Sequence, residues 1–123
     1  MTIIEFPFRL PGMNDYTDAC RRSPHSGARM KKEAQEDCEW VIRLTKKGKI
    51  REPVRLHYTF IEQNKKRDLD NIAGFAHKVI QDALVNQGVL SNDGWKSISG
   101  FSDSFLTGEK AKIILRIEED QSS

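Results

Sequence analysis

Two aspartates one residue apart, Asp68 and Asp70, follow a run of three cations in Asn64-Lys-Lys-Arg-Asp-Leu-Asp-Asn71. In an extended chain, residues two apart point to the same side, so the two carboxylates can converge while Leu69 turns to the core. Carboxylates pressed together repel and raise each other's pKa unless a cation lies between them, and a hard divalent ion is the natural partner. A third acid, Asp93, stands in Leu90-Ser-Asn-Asp-Gly-Trp95, just past an expected helix. A β-α-turn path can return such a residue beside the strand end that carries the pair. Three acids on one metal ion, with Lys65, Lys66 and Arg67 at hand for phosphates, offer metal-assisted phosphodiester hydrolysis. The same residues have a plainer use: Asp70 or Asn71 caps a helix, Asp68 pairs with Arg67 or Lys66, and Asn-Asp-Gly forms a turn.

Other chemistries are excluded by residue type. Read as a calcium-binding helix-loop-helix motif starting at Asp68, the segment places Ile72 and Ala73 where a ligand and a glycine belong, and Val79 where the closing glutamate belongs. The chain has no Gly-x-x-x-x-Gly-Lys-Ser/Thr, no Gly-x-Ser-x-Gly and no His-Glu-x-x-His. His25, His57 and His77 are isolated, and Cys20 and Cys38 are too few for a zinc site or a disulfide framework, so both read as reduced structural thiols.

Charge is unevenly divided. Residues 1–67 carry 15 Lys/Arg against 9 Asp/Glu, whereas residues 68–123 carry 5 against 9, within a net charge of +2. A basic half suits phosphates and an acidic half suits a cation, although scattered solvated charge gives the same totals. No apolar run approaches the roughly 18 residues a membrane span needs, and the first residues lack the pattern of a signal peptide. The expectation is a cytoplasmic protein without membrane partners.

The elements that must position these residues can be read from hydrophobic period. Ile4, Phe6, Phe8 and Leu10 alternate, as do Val54, Leu56, Tyr58 and Phe60, and Ile113, Leu115 and Ile117; all three runs read as strands, with a shorter one over residues 97–103. Met30, Ala34, Cys38, Val41 and Leu44 mark one helix ending near Gly48, and Ala76, Val79, Ile80, Ala83 and Leu84 a second ending near Gly88. Residues 11–28 are rich in turn formers, lack periodicity and include Arg21, Arg22 and His25; they read as a long basic loop able to order against a nucleic-acid backbone. Trp95 and Phe101 could stack on unpaired bases but read as core aromatics. The expected fold is α+β: one domain over residues 1–123, a small mixed sheet packed with two helices in the order β-α-β-α-β-β, ending in an acidic tail at 118–123.

Lys66-Arg-Asp-Leu-Asp-Asn71, Lys78, Asp82-Ala-Leu84, Gly88 and Asp93 together resemble the RusA-type Holliday junction resolvases, small phage and bacterial endodeoxyribonucleases. The first sixty residues match loosely, through a strand, a turn with Asn14 and Tyr16, and a charged helix. The resemblance implies a homodimer that binds four-way DNA junctions in a bacterial or phage-infected cell and nicks them in symmetric pairs. It implies Mg²⁺, with Mn²⁺ as a substitute, held by Asp68, Asp70 and Asp93, and an assisting lysine at Lys78. DNA would be held by Arg21, Arg22, Lys65, Lys66 and Arg67. The chain departs from the pattern at Asn92, where a second aspartate is common, and in a longer interval between Asp70 and Lys78. On a continuous helix that interval spans roughly 12 Å, so Lys78 would reach the acids if Ile72-Ala-Gly74 were loop and the helix began near Phe75. Lys78 could instead form a surface pair with Asp82. Two other functions fit the same residues: a non-catalytic nucleic-acid-binding module, and a monomeric nuclease for branched or flapped DNA.

Overall fold

A computed structural model of the chain describes residues 1–45 and 48–120. The elements run β1 (Thr2–Phe6), α1 (Met13–Arg22), α2 (Pro24–Thr45), β2 (Val54–Glu62), α3 (Leu69–Asn86), β3 (Ile98–Thr107) and β4 (Lys112–Glu119). The fold is α+β, with a four-stranded mixed sheet in the order β1-β4-β2-β3. β4 pairs antiparallel with both β1 and β2, and β2 pairs parallel with β3, so that β1 and β3 are the edge strands. Of the acidic tail expected at 118–123, Glu118 and Glu119 belong to β4, and residues 121–123 lie outside the described residues.

Period-two alternation puts one row of side chains on the helix side of the sheet. Ile4 lies opposite Leu115, which lies opposite Tyr58, and all three are buried. Phe6, Leu56, Phe60, Ile113 and Ile117 extend this row and meet Cys38, Ile42, Phe75, Val79, Ile80 and Leu84 from α2 and α3 in one core. Each such side chain, fully buried, contributes about 1.5–3 kcal/mol. Burial pushes the Cys38 thiol up to about 12, which keeps it a neutral packing group. The alternation expected through Leu10 leaves the sheet at Phe6, where Pro7 has no N–H for a ladder; Phe8 and Leu10 still pack on the core.

The basic loop expected over residues 11–28 is instead helical: it forms α1 and the first turn of α2. Asp15 accepts a hydrogen bond from the Gly12 N–H at 2.9 Å, closing the start of α1, and Pro24 opens α2, where its missing N–H costs nothing. The side of α1 carrying Tyr16 and Ala19 packs inward, with the Tyr16 and Phe75 rings 4.7 Å apart. Tertiary contact therefore holds a segment of low intrinsic propensity in helix. The second helix also begins earlier than expected, at Leu69 rather than near Phe75, so Ile72, Ala73 and Gly74 are helical. α2 and α3 are joined through Glu39, whose carboxylate is buried and accepts from the Gln35, Asn86 and Gln87 amides at 2.8–2.9 Å.

Candidate active site

The chain leaves β2 at Glu62, turns through residues 63–67 and enters α3 with Asp68 as its N-cap. The turn is shaped by Asn64 Oδ1, which accepts from the Lys66 N–H at 3.0 Å. Asp68 has extended backbone and its carbonyl accepts from the Ile72 N–H at 3.0 Å, yet its carboxylate makes no capping hydrogen bond. Asp70 sits in the first helical turn, where a negative charge is favoured by the helix dipole. Both carboxylates are exposed and neither has a hydrogen-bond or ion-pair partner among the described residues. The Lys65 and Lys66 ammonium groups are likewise exposed and unpaired among the described residues. Beside them is a cleft of about 320 Å³ between the start of α3 and the ends of β2 and β3, lined by Asn64, Lys65, Asp68 and Thr107 among others. This is the C-terminal edge of a parallel strand pair, the edge at which α/β units commonly bind ligands.

Because Leu69 and Asp70 are helical, the extended-chain geometry expected for the Asp-Leu-Asp segment does not apply. Residues two apart on a helix do not face each other, and Leu69, expected in the core, is 56% exposed. Arg67, expected on DNA, is tied up within the fold: its Nε and one amine donate to the two Glu62 oxygens at 2.9 and 2.8 Å, and the other amine donates to the Leu10 carbonyl at 3.0 Å. Both partners of this ion pair are largely buried, so Arg67 fixes the turn that presents its neighbours. Asn71, which could have capped α3, accepts from the Asn14 N–H at 2.8 Å and so docks the start of α1 against the start of α3. A β-carbon on Gly12 would stand 2.5 Å from the Asn71 Oδ1, which explains glycine at that approach. Arg21 and Arg22 lie exposed in the last turn of α1.

Asp93 lies elsewhere. Helix α3 runs back along the sheet after leaving the exit of β2, so the segment after it arrives at the entrance of that strand. There the Val54 N–H donates to the Ser97 carbonyl at 2.8 Å, and the Ser91 N–H to Glu52 Oε1 at 2.6 Å. The expected return to the exit of β2 would need a second reversal that seven-odd residues of turn do not supply. Lys78, roughly 12 Å along the helix from Asp70, has its Nζ 3.3 Å from Asp82 Oδ1 and 3.7 Å from Asp93 Oδ2. Lys31 closes the network at 2.8 Å from Asp82 Oδ2. Asp82 chiefly, and Asp93 after it, raise the Lys78 pKa, so this amine stays charged. Among the described residues no group of three acidic, histidine or cysteine side chains is close enough to hold a metal ion.

Trp95 and Phe101, expected in the core, are 97% and 53% exposed. The signal was present for Trp95, which stands among Asn92, Asp93, Gly94 and Lys96, polar and turn-forming residues that seldom line a core. His57 and His77 pair locally, with Ser102 and Asp103 respectively, each at 2.7 Å. Among the described residues no helix is long and apolar enough to cross a membrane. No protein-family model matches the chain, and no curated protein matches it at a significant level.

Proposed function

We propose that the protein is a Mg²⁺-dependent endodeoxyribonuclease of branched DNA, acting on four-way junctions as a symmetric pair of chains in the cytoplasm of a bacterial or phage-infected cell. The single observation that carries this reading is the surface at the start of α3, where Asp68 and Lys65 line a cleft at the strand ends, with Asp70 and Lys66 next to them in sequence, all four side chains without partners among the described residues. Carboxylates left exposed without partners, beside ammonium groups that can take phosphates, suit a site that binds a polyanion and works on it. Magnesium commonly takes as few as one or two carboxylates and completes its shell with water and substrate phosphate, so Asp68 or Asp70 alone would supply the donor chemistry it needs. When bound there the ion would polarise the scissile phosphate and acidify a water.

Asp93 does not fit the same ion within one chain, and no step is assigned to it. Lys65 and Lys66 neutralise the phosphates flanking the cut, and the free N–H groups at the start of α3 favour an anion at the same corner. A homodimer would present two such surfaces related by a two-fold axis, matching paired cuts in a four-way junction.

That no three acidic, histidine or cysteine side chains among the described residues come close enough to hold a metal ion favours a second reading, a module that binds branched DNA without cutting it. A gel assay separates the two: with a synthetic four-way junction, nicking in Mg²⁺ that disappears with a chelator is the result expected. Salt-sensitive binding with no nicking in Mg²⁺ or Mn²⁺ would leave only the binding module.

A further inference from the structure

The geometry points to a second site on the same molecule: a cleft between Trp95 and Phe101 that takes one unpaired nucleobase of the DNA. The inference rests on the proposed action on DNA but uses a different surface. The cleft measures about 410 Å³ and is lined by Gln81, Asp93, Gly94, Trp95, Ile98 and Phe101, in the size range of small-molecule sites.

Its two aromatic walls are held differently. Phe101 is fixed from behind: the His77 ring lies 4.6 Å away, Tyr58 meets it edge-on at 6.5 Å, and His77 is pinned by Asp103 at 2.7 Å. Trp95 projects from a short turn closed by hydrogen bonds from the Ser97 and Ile98 N–H groups to the Gly94 carbonyl, both at 3.0 Å, and from the Gly94 N–H to Asn92 Oδ1 at 2.9 Å. The turn thus presents an indole almost wholly in water, facing solvent beside a supported phenyl ring.

Charge selects the occupant. Lys78 stands at the rim against Asp93, and Lys96, next to Trp95, is exposed and unpaired among the described residues. Gln81 Nε2 donates to the Tyr58 hydroxyl at 3.2 Å, while its carbonyl oxygen has no partner among the described residues and can accept from a base edge. Aromatic faces, an amide acceptor and rim ammonium groups match the face, edge and flanking phosphates of a nucleotide. An apolar peptide would leave Lys96 without a partner, Lys78 being already paired with Asp82 and Asp93. Bases in a duplex keep their faces stacked inside, so only an unpaired base can enter.

The test uses the full chain with Trp40→Phe, which leaves Trp95 as the sole tryptophan, in a chelator so that no DNA is cut. A short thymidine strand and a duplex of equal length are titrated, with Trp95 emission and the anisotropy of labelled DNA read together. Binding of the thymidine strand should quench Trp95. In the natural background, Trp95→Ala should lower the preference for the thymidine strand over duplex about tenfold, and Trp95→Phe should restore most of it. Unchanged emission at saturating anisotropy, an unchanged preference in Trp95→Ala, or no binding of the thymidine strand would each overturn the inference. Junction nicking in Mg²⁺ is scored separately: nicking with a silent Trp95 overturns the cleft alone, whereas quenching without nicking supports the cleft and overturns the nuclease.

Discussion

At the α2–α3 contact the Glu39 carboxylate is surrounded by three side-chain amides, and its titration follows from that setting. Burial raises its pKa, but the hydrogen bonds from Gln35, Asn86 and Gln87, with the nearby Arg43 charge, more than reverse the effect and hold it below the ordinary glutamate range. A depressed carboxylate stabilises the fold above its unfolded pKa, about 4.3, and loses that contribution as pH falls through the folded value. Wild type should therefore exceed Glu39→Gln in thermal midpoint at neutral pH, with the gap closing below about pH 4; a gap that does not change with pH would contradict this. Arg67 and its lysine neighbours separate in the same way. Arg67→Ala strips a buried Glu62 of its two hydrogen bonds, leaving only Arg9 at 3.8 Å, and should cost about 1–3 kcal/mol of stability, whereas Lys65→Ala with Lys66→Ala should leave the denaturant midpoint in place and reduce the salt slope of DNA binding by about 2. Equal losses of stability in both variants would refute the division. Sequence alone could not divide this run, because three adjacent cations look alike until the fold shows that Glu62 and the Leu10 carbonyl await one of them.

Among the elements, those with long regular periods were legible and those held by contact were not. β2 and β4 carry clean alternation because one face is core and the other solvent, and α2 and α3 carry apolar stripes because they cover that core. α1 carries Asn14, Asp15, Thr17 and Asp18, which favour turns in isolation, so its helix depends on Tyr16, Ala19 and the close approach of α2. That approach is close at Gly27, where a β-carbon would collide with Cys20 Sγ and stand 3.2 Å from Cys20 Cα. Gly27→Ala should destabilise the protein by about 1–3 kcal/mol through overpacking. An unchanged denaturant midpoint would show that α1 can move away freely, against this account of what holds it. The candidate site was legible at Asp68, Asp70, Lys65 and Lys66, all contiguous with the start of α3. It was not legible at Asp93, because a three-residue motif carries no information about which end of a strand a helix returns to.

Across the whole molecule, the parallel β2–α3–β3 unit separates the two proposed sites to its opposite ends. The exit of β2 carries the acids and lysines, and its entrance carries the Lys78–Asp93 pair and the Trp95–Phe101 cleft. DNA engaged at both ends would lie along α3, with phosphates at one end and an opened base at the other. The total charge of +2 understates this arrangement, since it averages a basic N-terminal half with an acidic remainder. The proposed paired cutting requires two chains, so sedimentation of the protein with a four-way junction should give two chains per junction, and one chain per junction would argue for a monomeric nuclease. Asp68 and Asp70, whose carboxylates have no partner among the described residues, are proposed to serve cleavage and not merely helix formation. The most direct measurement is cleavage of a four-way junction by Asp70→Asn in Mg²⁺, with junction affinity measured in parallel. The account predicts that nicking is abolished while affinity holds or rises, because a negative charge beside phosphate is removed. Full Mg²⁺-dependent nicking by that variant would contradict it.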